Sequence, residues 1–417
     1  MDKQRLKIWM IVSTNVDERS FFRQEFQQLE RLLGLRIELR FLSWRRAYGS
    51  LVKAYKENET PDIFGLGSTW VHPFAYLGYL DPVPQSFRMQ QVLAPWITKC
   101  IFYQNRQYAV PLTAESMALM ARADVLDALN VNAQDLRHWS GLLDTCKYLA
   151  SLPETDREKL NFQTPMAFPI RPEIGTFHRC AAWMMREGWQ FPDLSSLPST
   201  LFADQVCLNV FQQIGLLFQA CHSTVDEARL HPLMMYERSL PTNQYVFYLG
   251  NGSEIVVDTL DKDNLNHGDL IALPLPSLSG SQGGYGGGTV LCVSARSKIK
   301  NIAWQGIEYM QSDRFISKLA EVSGLLPAYK CKFWERNRSN PQISFLESQI
   351  RESVSYSFHP IWRAVEDALG TQVSQLLWNL LQSPSSFDKR NLSDALVQFD
   401  EHIQYVLRMA WELYDHD

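Results

Sequence analysis

The stretch PDIFGLGSTWVHPFAYLGYLDPV, residues 61–83, contains a strand followed by a helix. Its apolar run at 63–66 is short and continuous, which is typical of a buried strand. Helical spacing resumes through Phe74 and Leu77, and Gly78 closes the helix because glycine readily adopts a positive φ. The stretch therefore predicts one strand-helix unit of a layered α/β fold.

Two more units of this kind precede it. Residues 6–12 form an apolar run suited to a buried strand, and residues 35–42 alternate as a second strand. Apolar side chains on one helical face follow each strand: Phe22, Phe26, Leu29 and Leu33 after the first, and Trp44, Ala47, Leu51 and Tyr55 after the second. The order β-α-β-α-β predicts a parallel sheet covered by helices.

Downstream, three interruptions indicate that the chain passes between two α/β regions more than once. Residues 107–114 and 270–276 are extended runs, and GLLPA at 324–328 breaks a helical segment. We interpret all three as hinges. Two lobes joined in this way leave a cleft between them, where ligands commonly bind.

These hinges define the expected lobes. Lobe one consists of residues 1–110 and 272–324, and lobe two consists of residues 111–271 and 325–417. Each lobe is expected to be an α/β unit, so that the binding cleft lies between two layered structures rather than inside one of them.

Composition excludes several classes of protein. The 417 residues are 46% hydrophobic, so the chain is globular rather than disordered. Its net charge of −5 and its lack of a basic stripe argue against a nucleic-acid partner. No apolar stretch reaches the roughly 18 residues that a membrane span requires.

The seven cysteines are odd in number and include no CxxC pair, so they indicate neither a disulfide framework nor a zinc site. We expect buried free thiols, while one or two bridges between distant cysteines stay open. The nine histidines lack the spacing of metal ligands. Because no GxSxG, HExxH, phosphate-loop or kinase motif occurs, we expect no enzyme activity, no cofactor and no metal.

Two further patterns have simple interpretations. The glycine run at 283–288 leads into a strand rather than a helix. It therefore indicates a flexible turn, or a loop close to a cleft ligand, rather than a nucleotide site. The acidic pair Glu366-Asp367 is interpreted as helix-terminal or solvated charge.

Five blocks of the sequence resemble the extracytoplasmic sugar-binding proteins of ABC transporters, the group that includes maltodextrin-binding protein. They are GLRIELRFLSW (34–44), PDIFGLGSTWVHPFAYLGYLDPV (61–83), YAVPLTAESMALMARADVLDALNV (108–131), GGTVLCVSARSKIKNIAWQGIEYMQSDRFISKLAEVSGLLPA (287–328) and HPIWRAVEDAL (359–369). The blocks follow the family's order and span nearly the whole chain. The resemblance implies an α/β periplasmic-binding-protein fold: two Rossmann-like lobes joined by hinge strands, with a ligand cleft between them.

The third block departs from the family pattern at two positions. Ala121 stands where Tyr is usual, and Ala123 stands where Lys is usual, whereas Glu115, Arg122 and Asp124 follow the pattern. Ala121 indicates a binding site of altered shape, wider or less polar than in relatives.

The resemblance also implies a function. The protein would capture a carbohydrate or a related polar small molecule, close about its hinges and deliver the ligand to the membrane permease of an ABC transporter. It is then expected to be a monomer in the periplasm or elsewhere outside the cytoplasm, its leader removed; a cytoplasmic location stays open. The alternative is a ligand-sensing domain of a signalling system that uses the same fold.

Sugars present hydroxyl groups around a ring and apolar C–H faces, so a sugar site needs aromatic platforms and planar carboxylates or amides. In open α/β sheets, ligands bind at the carboxyl ends of the strands. Thr14 and Asn15 follow the first strand, and Thr69 and Trp70 follow the third. We predict that all four contact the ligand; the alternative for Trp70 is a core position.

Five further candidates lie beyond the first hinge. The resemblance implies that Glu115 is a sugar-contacting carboxylate, that His178 lies in a region with an aromatic contact, and that Trp362 is the family's C-terminal tryptophan. Asn251 lies between two glycines, and Tyr285 lies in the glycine run. The alternatives are a helix-start charge for Glu115, a turn for Asn251, a structural histidine for His178 and helix packing for Trp362.

Overall fold

A computed structural model describes residues 4–12, 16–224, 226, 244–260, 270–279, 283–382 and 388–415. Its strands are β1 Arg5–Ile11, β2 Arg36–Leu42, β3 Ile63–Gly67, β4 Phe102–Tyr103, β5 Arg106–Gln107, β6 Val110–Ser116, β7 Ala118–Arg122, β8 Thr164–Ala167, β9 Tyr245–Gly250, β10 Leu270–Leu273, β11 Gly286–Val293 and β12 Leu326–Pro327. Its helices are α1 Val16–Leu33, α2 Trp44–Lys56, α3 Val71–Tyr76, α4 Pro95–Ile101, α5 Ala123–Ala128, α6 Trp139–Ser151, α7 Glu154–Lys159, α8 Ile174–Arg186, α9 Gln205–Ala220, α10 Ser253–Leu260, α11 Lys300–Met310, α12 Asp313–Ser323, α13 Lys332–Asn337, α14 Pro341–Glu352, α15 Trp362–Leu381 and α16 Lys389–Asp415.

The predicted β-α-β-α-β unit is present at the start of the chain. β1 pairs in parallel with β2 on one side and with β3 on the other. Gly34 and Gly78, with φ values of 67° and 66°, end α1 and α3 as the sequence predicts. The whole sheet has the order β12-β6-β11-β3-β1-β2 and is mixed rather than parallel, because β11 runs antiparallel to β3 and β6.

A second sheet has the order β10-β7-β9-β8. β8 and β9 are parallel, whereas β7 is antiparallel to both of its neighbours. Helices α6, α8, α9, α15 and α16 form one continuous apolar core with this sheet. The chain thus forms two α/β lobes, each with its own sheet.

The chain crosses between the two sheets beside two of the predicted hinges, 107–114 and 270–276, whereas residues 324–328 do not cross, because the elements on both sides of them pack in the core of the first sheet. Met117 alone separates β6 of the first sheet from β7 of the second. The extended run 270–276 includes β10 of the second sheet, and the chain then returns to the first sheet as β11. GLLPA at 324–328 ends α12 and places β12 against β6.

The predicted lobe boundaries stay a prediction, and the packing assigns some segments differently. β6 belongs to the first sheet as far as Ser116, because it pairs with β11 and β12. Residues 326–350 contribute to the core of the first sheet rather than to the second lobe. The pairing of β12 with β6 keeps α13 and α14 on that side.

The glycine run is strand rather than loop from Gly286 onward. A Cβ atom at Gly288 would lie 2.1 Å from the Thr113 carbonyl oxygen on β6, so only glycine permits this approach. Residues 280–282, which precede the run, lie outside the described residues. All seven cysteines are free thiols, and all except Cys331 are buried.

Candidate functional site

A small cavity lies where the chain crosses between the sheets. It is lined by Glu115, Ser116, Met117, Gly250, Asn251, Glu254 and Tyr285. Its volume of about 10 Å³ admits one group the size of a water molecule. The ends of β6 and β9 and the start of β11 meet here, so three predicted site residues, Glu115, Asn251 and Tyr285, come together at the hinge.

Glu115 lies on β6, which excludes the helix-start alternative. The Asn251 side chain donates a hydrogen bond from Nδ2 to Glu115 Oε2 at 2.5 Å. Burial raises the pKa of the Glu115 carboxyl, and the Asn251 hydrogen bond opposes this increase only in part. Asn251 also caps the following turn, because its Oδ1 accepts a hydrogen bond from the Ser253 amide at 3.1 Å.

Four stacked rings extend from the cavity, and we call them the aromatic column: His178, Tyr285, Tyr356 and Trp362. The ring centroids are 4.4 Å apart between His178 and Tyr285, 4.8 Å apart between Tyr285 and Tyr356, and 4.7 Å apart between Tyr356 and Trp362. The interplanar angles do not exceed 28°. The column therefore joins three residues that the sequence predicted separately.

Burial determines the ionisation of the column. It lowers the pKa of His178 to about 3, with a smaller contribution from Arg179, so the imidazole is neutral near pH 7. His178 Nδ1 and the Tyr356 hydroxyl lie 2.6 Å apart and share a hydrogen bond. Trp362 is fully buried, and its indole Nε1 has no hydrogen-bond partner in the described ranges.

Trp70 connects the two sides of the cleft. It lies in the single helical turn Ser68–Trp70 after β3, and its Nε1 donates a 2.8 Å hydrogen bond to Glu366 Oε2 on α15. Arg363 Nη1 donates to the same oxygen at 2.7 Å, and its guanidinium lies 4.6 Å from the centre of the Tyr48 ring. We call Tyr48, Trp70, Arg363 and Glu366 the interlobe latch.

The latch corrects one prediction. Glu366 is not a solvated charge: it is 3% exposed, and burial raises its pKa despite the nearby Arg363. Trp70 is itself 6% exposed and packs edge-on against Trp44 and Tyr48, as in its core alternative. It therefore has a packing role as well as a contact across the cleft.

The remaining candidates are placed less informatively. Thr69 is buried beside Trp70 in the same turn. Thr14 and Asn15 lie outside the described residues.

Sequence reasoning missed Tyr356, Glu366, Ser116 and Glu254. Glu366 had a usable signal, because it follows Trp362 by one helical turn and so shares its face of α15. Tyr356 had none, since it lies in an irregular segment between two helices.

Two kinds of feature are absent from the described part of the chain. No group of three or more His, Cys, Asp or Glu side chains there is arranged to hold a metal ion. Within the same residues, no helix combines the length and the apolar character needed to cross a lipid bilayer.

Comparison with known proteins identifies the fold. No protein-family model matches the chain, and a search of curated proteins found no match. Among solved structures, the solute-binding protein of an ABC transporter from Thermotoga lettingae, bound to α-D-tagatose, has a TM-score of 0.80 at 17% identity, covering 97% of this chain and 100% of that one. The GacH receptor of Streptomyces glaucescens, solved unliganded and with acarbose, has a TM-score of 0.73 at 18% identity, covering 96% and 99%.

A third structure agrees with these two. The maltotriose-binding protein of Thermus thermophilus has a TM-score of 0.69 at 16% identity, covering 95% of this chain and 100% of that one. The chain therefore has the two-lobed α/β fold of the sugar-binding proteins of ABC transporters, as the sequence predicted. The structures it resembles are binding proteins rather than enzymes.

Proposed function

We propose that this protein captures a carbohydrate between its two lobes and delivers it to the membrane permease of an ABC transporter. The observation that carries the proposal is the aromatic column, which begins at the Glu115 cavity and ends one helical turn from the latch. The structural neighbours bind tagatose, acarbose and maltotriose, which agrees with a carbohydrate ligand.

The chemistry of these residues suits a sugar. Of the four column rings, only the end members, His178 and Trp362, have a face that no other ring of the column covers, and such a face suits the C–H face of a pyranose. Carboxylates and amides such as Glu115, Glu366 and Asn251 exchange hydrogen bonds with hydroxyl groups, and bonds to a charged partner are the stronger ones. The unpartnered Nε1 of Trp362 is a further donor.

Capture requires the lobes to separate, because the cavity in this conformation has room for one water-sized group only. Opening breaks the Trp70–Glu366 hydrogen bond and exposes the column to solvent. A ligand then favours closure only if it contacts both lobes, since differential affinity for the closed state is what shifts the equilibrium. Tyr48 and Trp70 of the latch pack in the first lobe, whereas Trp362 of the column belongs to the core of the second, so a ligand between them would contact both lobes.

A thermal-shift screen followed by calorimetry tests the proposal. Tagatose, maltose and maltotriose are suitable first probes, and a true ligand at 100 times its dissociation constant stabilises the folded state by about 2.7 kcal/mol. Asn251→Ala should weaken binding about tenfold, the effect of one lost hydrogen bond in a buried site.

The matched control for that variant is Asn337→Ala on α13. Asn337 donates a side-chain hydrogen bond to the Phe333 carbonyl at 2.9 Å and does not line the cavity, so its loss should leave affinity unchanged. If no carbohydrate in a broad screen raises the melting temperature, the proposal is wrong.

Delivery to a permease, an extracytoplasmic location and a monomeric state belong to the same proposal. They predict sugar uptake by the source cells that depends on this protein, without turnover of the sugar by the purified chain. Unchanged uptake in cells that lack the protein would contradict delivery. Sedimentation of the purified protein tests the monomer.

A further inference from the structure

Resting on the proposed function, we propose that the cavity beside Glu115 binds a protonated amino group of the ligand, so that the preferred ligand is an amino sugar or an amino-substituted polyol. Four features of the cavity support this ligand class: its charge, the lack of a counter-charge, an unpartnered hydroxyl and the cavity volume.

The cavity is acidic. Two of its lining residues, Glu115 and Glu254, carry carboxylates, and Glu254 is only 4% exposed. No lysine, arginine or histidine lines the cavity among the residues that the structure describes. A neutral sugar would leave this local negative charge without compensation.

Glu115 in particular has no counter-charge within the described part of the chain. Its hydrogen-bond partner is the neutral Asn251 amide, and burial is the dominant influence on its carboxyl group. A buried charge without an opposite charge is costly, and a cation placed beside it recovers much of that cost. A ligand ammonium group would supply the positive charge that the protein itself does not.

Ser116 gives an independent indication of a ligand. Its side chain is 3% exposed and lines the cavity, yet its hydroxyl oxygen has no hydrogen-bond partner among the residues that the structure describes. Buried polar groups in folded proteins are nearly always paired, so an unpaired one beside an empty space suggests a missing partner. An ammonium group carries three donors, and Glu115, Glu254 and Ser116 provide three acceptors.

The volume sets the size of the group. About 10 Å³ admits one water-sized group, and an ammonium group is of that size. A water molecule, a neutral hydroxyl or an alkali cation would fit as well, so the experiment must distinguish them by charge and by covalent attachment to a sugar.

Calorimetry with matched ligands makes this distinction. Glucose, glucosamine and N-acetylglucosamine form one set of ligands. Galactose, galactosamine and N-acetylgalactosamine form a second. At neutral pH the amino sugar, with its amino group protonated, should bind at least about tenfold more tightly than the neutral sugar. This is the effect of a charge-assisted hydrogen bond. The N-acetyl sugar, which has no positive charge, should lose this advantage.

Two variants test the role of the carboxylates. Glu115→Gln and Glu254→Gln should each reduce the amine preference, measured as the ratio of the affinities for the amino sugar and the neutral sugar, at least about threefold, as expected for a weakened charge-assisted bond. Glu321→Gln, on the outer side of α12, is the matched control and should preserve the preference. Thermal melts of each variant check that it folds; a neutral side chain at position 115 removes a buried charge and should not lower stability.

The outcomes separate this inference from the proposed function. Binding of neutral sugars without an amine preference overturns the inference and leaves the proposed function standing. Competition by sodium or potassium chloride equal to that by the amino sugar would assign the cavity to an inorganic cation and also overturn it. If no sugar of either kind binds, the proposed function fails together with the inference.

Discussion

The Glu366 carboxylate shows how one side chain can hold two lobes together. It is buried on α15, and its Oε2 accepts hydrogen bonds from Arg363 of the same helix and from Trp70 across the cleft. A lost bond to a charged acceptor leaves that acceptor less well satisfied, which costs more than the loss of a solvent-exposed bond.

We therefore predict that Trp70→Phe weakens the interlobe latch while keeping an aromatic ring in its place. The variant should lower the free energy of unfolding by about 1–3 kcal/mol, the range for a hydrogen bond to a charged group. Urea denaturation measures the change. Trp304→Phe is the control, because Trp304 also donates a hydrogen bond to a carboxylate, Asp81, but within the first lobe. That variant should lose a similar amount of stability without a change in ligand affinity.

A second prediction at this scale concerns pH and His178. Its pKa falls from 6.5 to about 3 on folding, so the folded protein disfavours the charged imidazole. Stability is therefore complete above about pH 6.5 and is lost as the pH falls from there toward about pH 3, with a slope of up to about 1.4 kcal/mol per pH unit from this group.

His178→Gln should reduce that slope, whereas His402→Gln on the exposed face of α16 should not. Urea denaturation at about pH 7 and about pH 5 gives the slope for each protein, as a difference between two stabilities. An equal slope in wild type and His178→Gln would mean that another group dominates the acid response.

Single residues also show where sequence reasoning succeeds and where it fails. Glu115 was predicted from the family resemblance, Asn251 from its position between two glycines and Tyr285 from its position in the glycine run, and the structure brings them to one cavity. Their roles in binding stay predictions. Burial of Glu366 was missed because a carboxylate next to another acid on a helix is usually solvated, and its two donors come from a distant turn and from its own helix.

At the scale of elements, β11 depends on glycine. The strand lies between β3 and β6, and a side chain at position 288 would collide with the Thr113 carbonyl of β6. The sequence indicated a flexible turn here, because a run of glycines carries no apolar alternation. Close backbone packing gives glycine a different purpose, which a single sequence does not reveal.

Gly288→Ala is expected to be destabilising by about 1–3 kcal/mol, the usual cost of overpacking. Gly49→Ala is its control: the position lies within α2 with no atom within 4 Å of the added Cβ, so the variant should gain up to about 1 kcal/mol from helix propensity. Chemical denaturation of both variants provides the comparison. A neutral Gly288→Ala would show that β11 and β6 can separate without cost.

At the scale of the whole molecule, the latch joins the two lobes through Trp70 and Glu366, so we predict that it favours the closed state. Leu32 on α1 and Leu216 on α9 are exposed, at 70% and 39%, and lie on different lobes. Spin labels on cysteines introduced at these positions report the distance between the lobes, since the native cysteines are almost all buried.

We expect the labelled wild type to show a narrow distance distribution and Glu366→Ala to show a broader, longer one. Removal of this carboxylate abolishes both the Trp70 and the Arg363 hydrogen bonds, so the open state gains population. Pulsed electron–electron double resonance measures the distribution of distances between the two labels. Identical distributions would show that other contacts hold the lobes together.

The overall architecture was largely predictable because it depends on patterns that repeat along the chain. The first three strands and their helices follow from apolar periodicity, and two crossings lie beside the extended runs 107–114 and 270–276. The lobe to which residues 326–350 belong did not follow, because β12 is two residues long and its pairing with β6 is a long-range event.

The single-residue link at Met117 has a mechanical consequence. With so short a connection, β6 and β7 cannot slide past each other. In the proposed opening, the two lobes therefore rotate about this link. Displacement grows with distance from a pivot, and the Glu115 cavity, which Met117 itself lines, therefore changes shape least during opening. The Glu115 end of the site is then already formed before closure, so a ligand binds there first. Trp70 and the rest of the first-lobe side of the latch contact the ligand afterwards, when the lobes close.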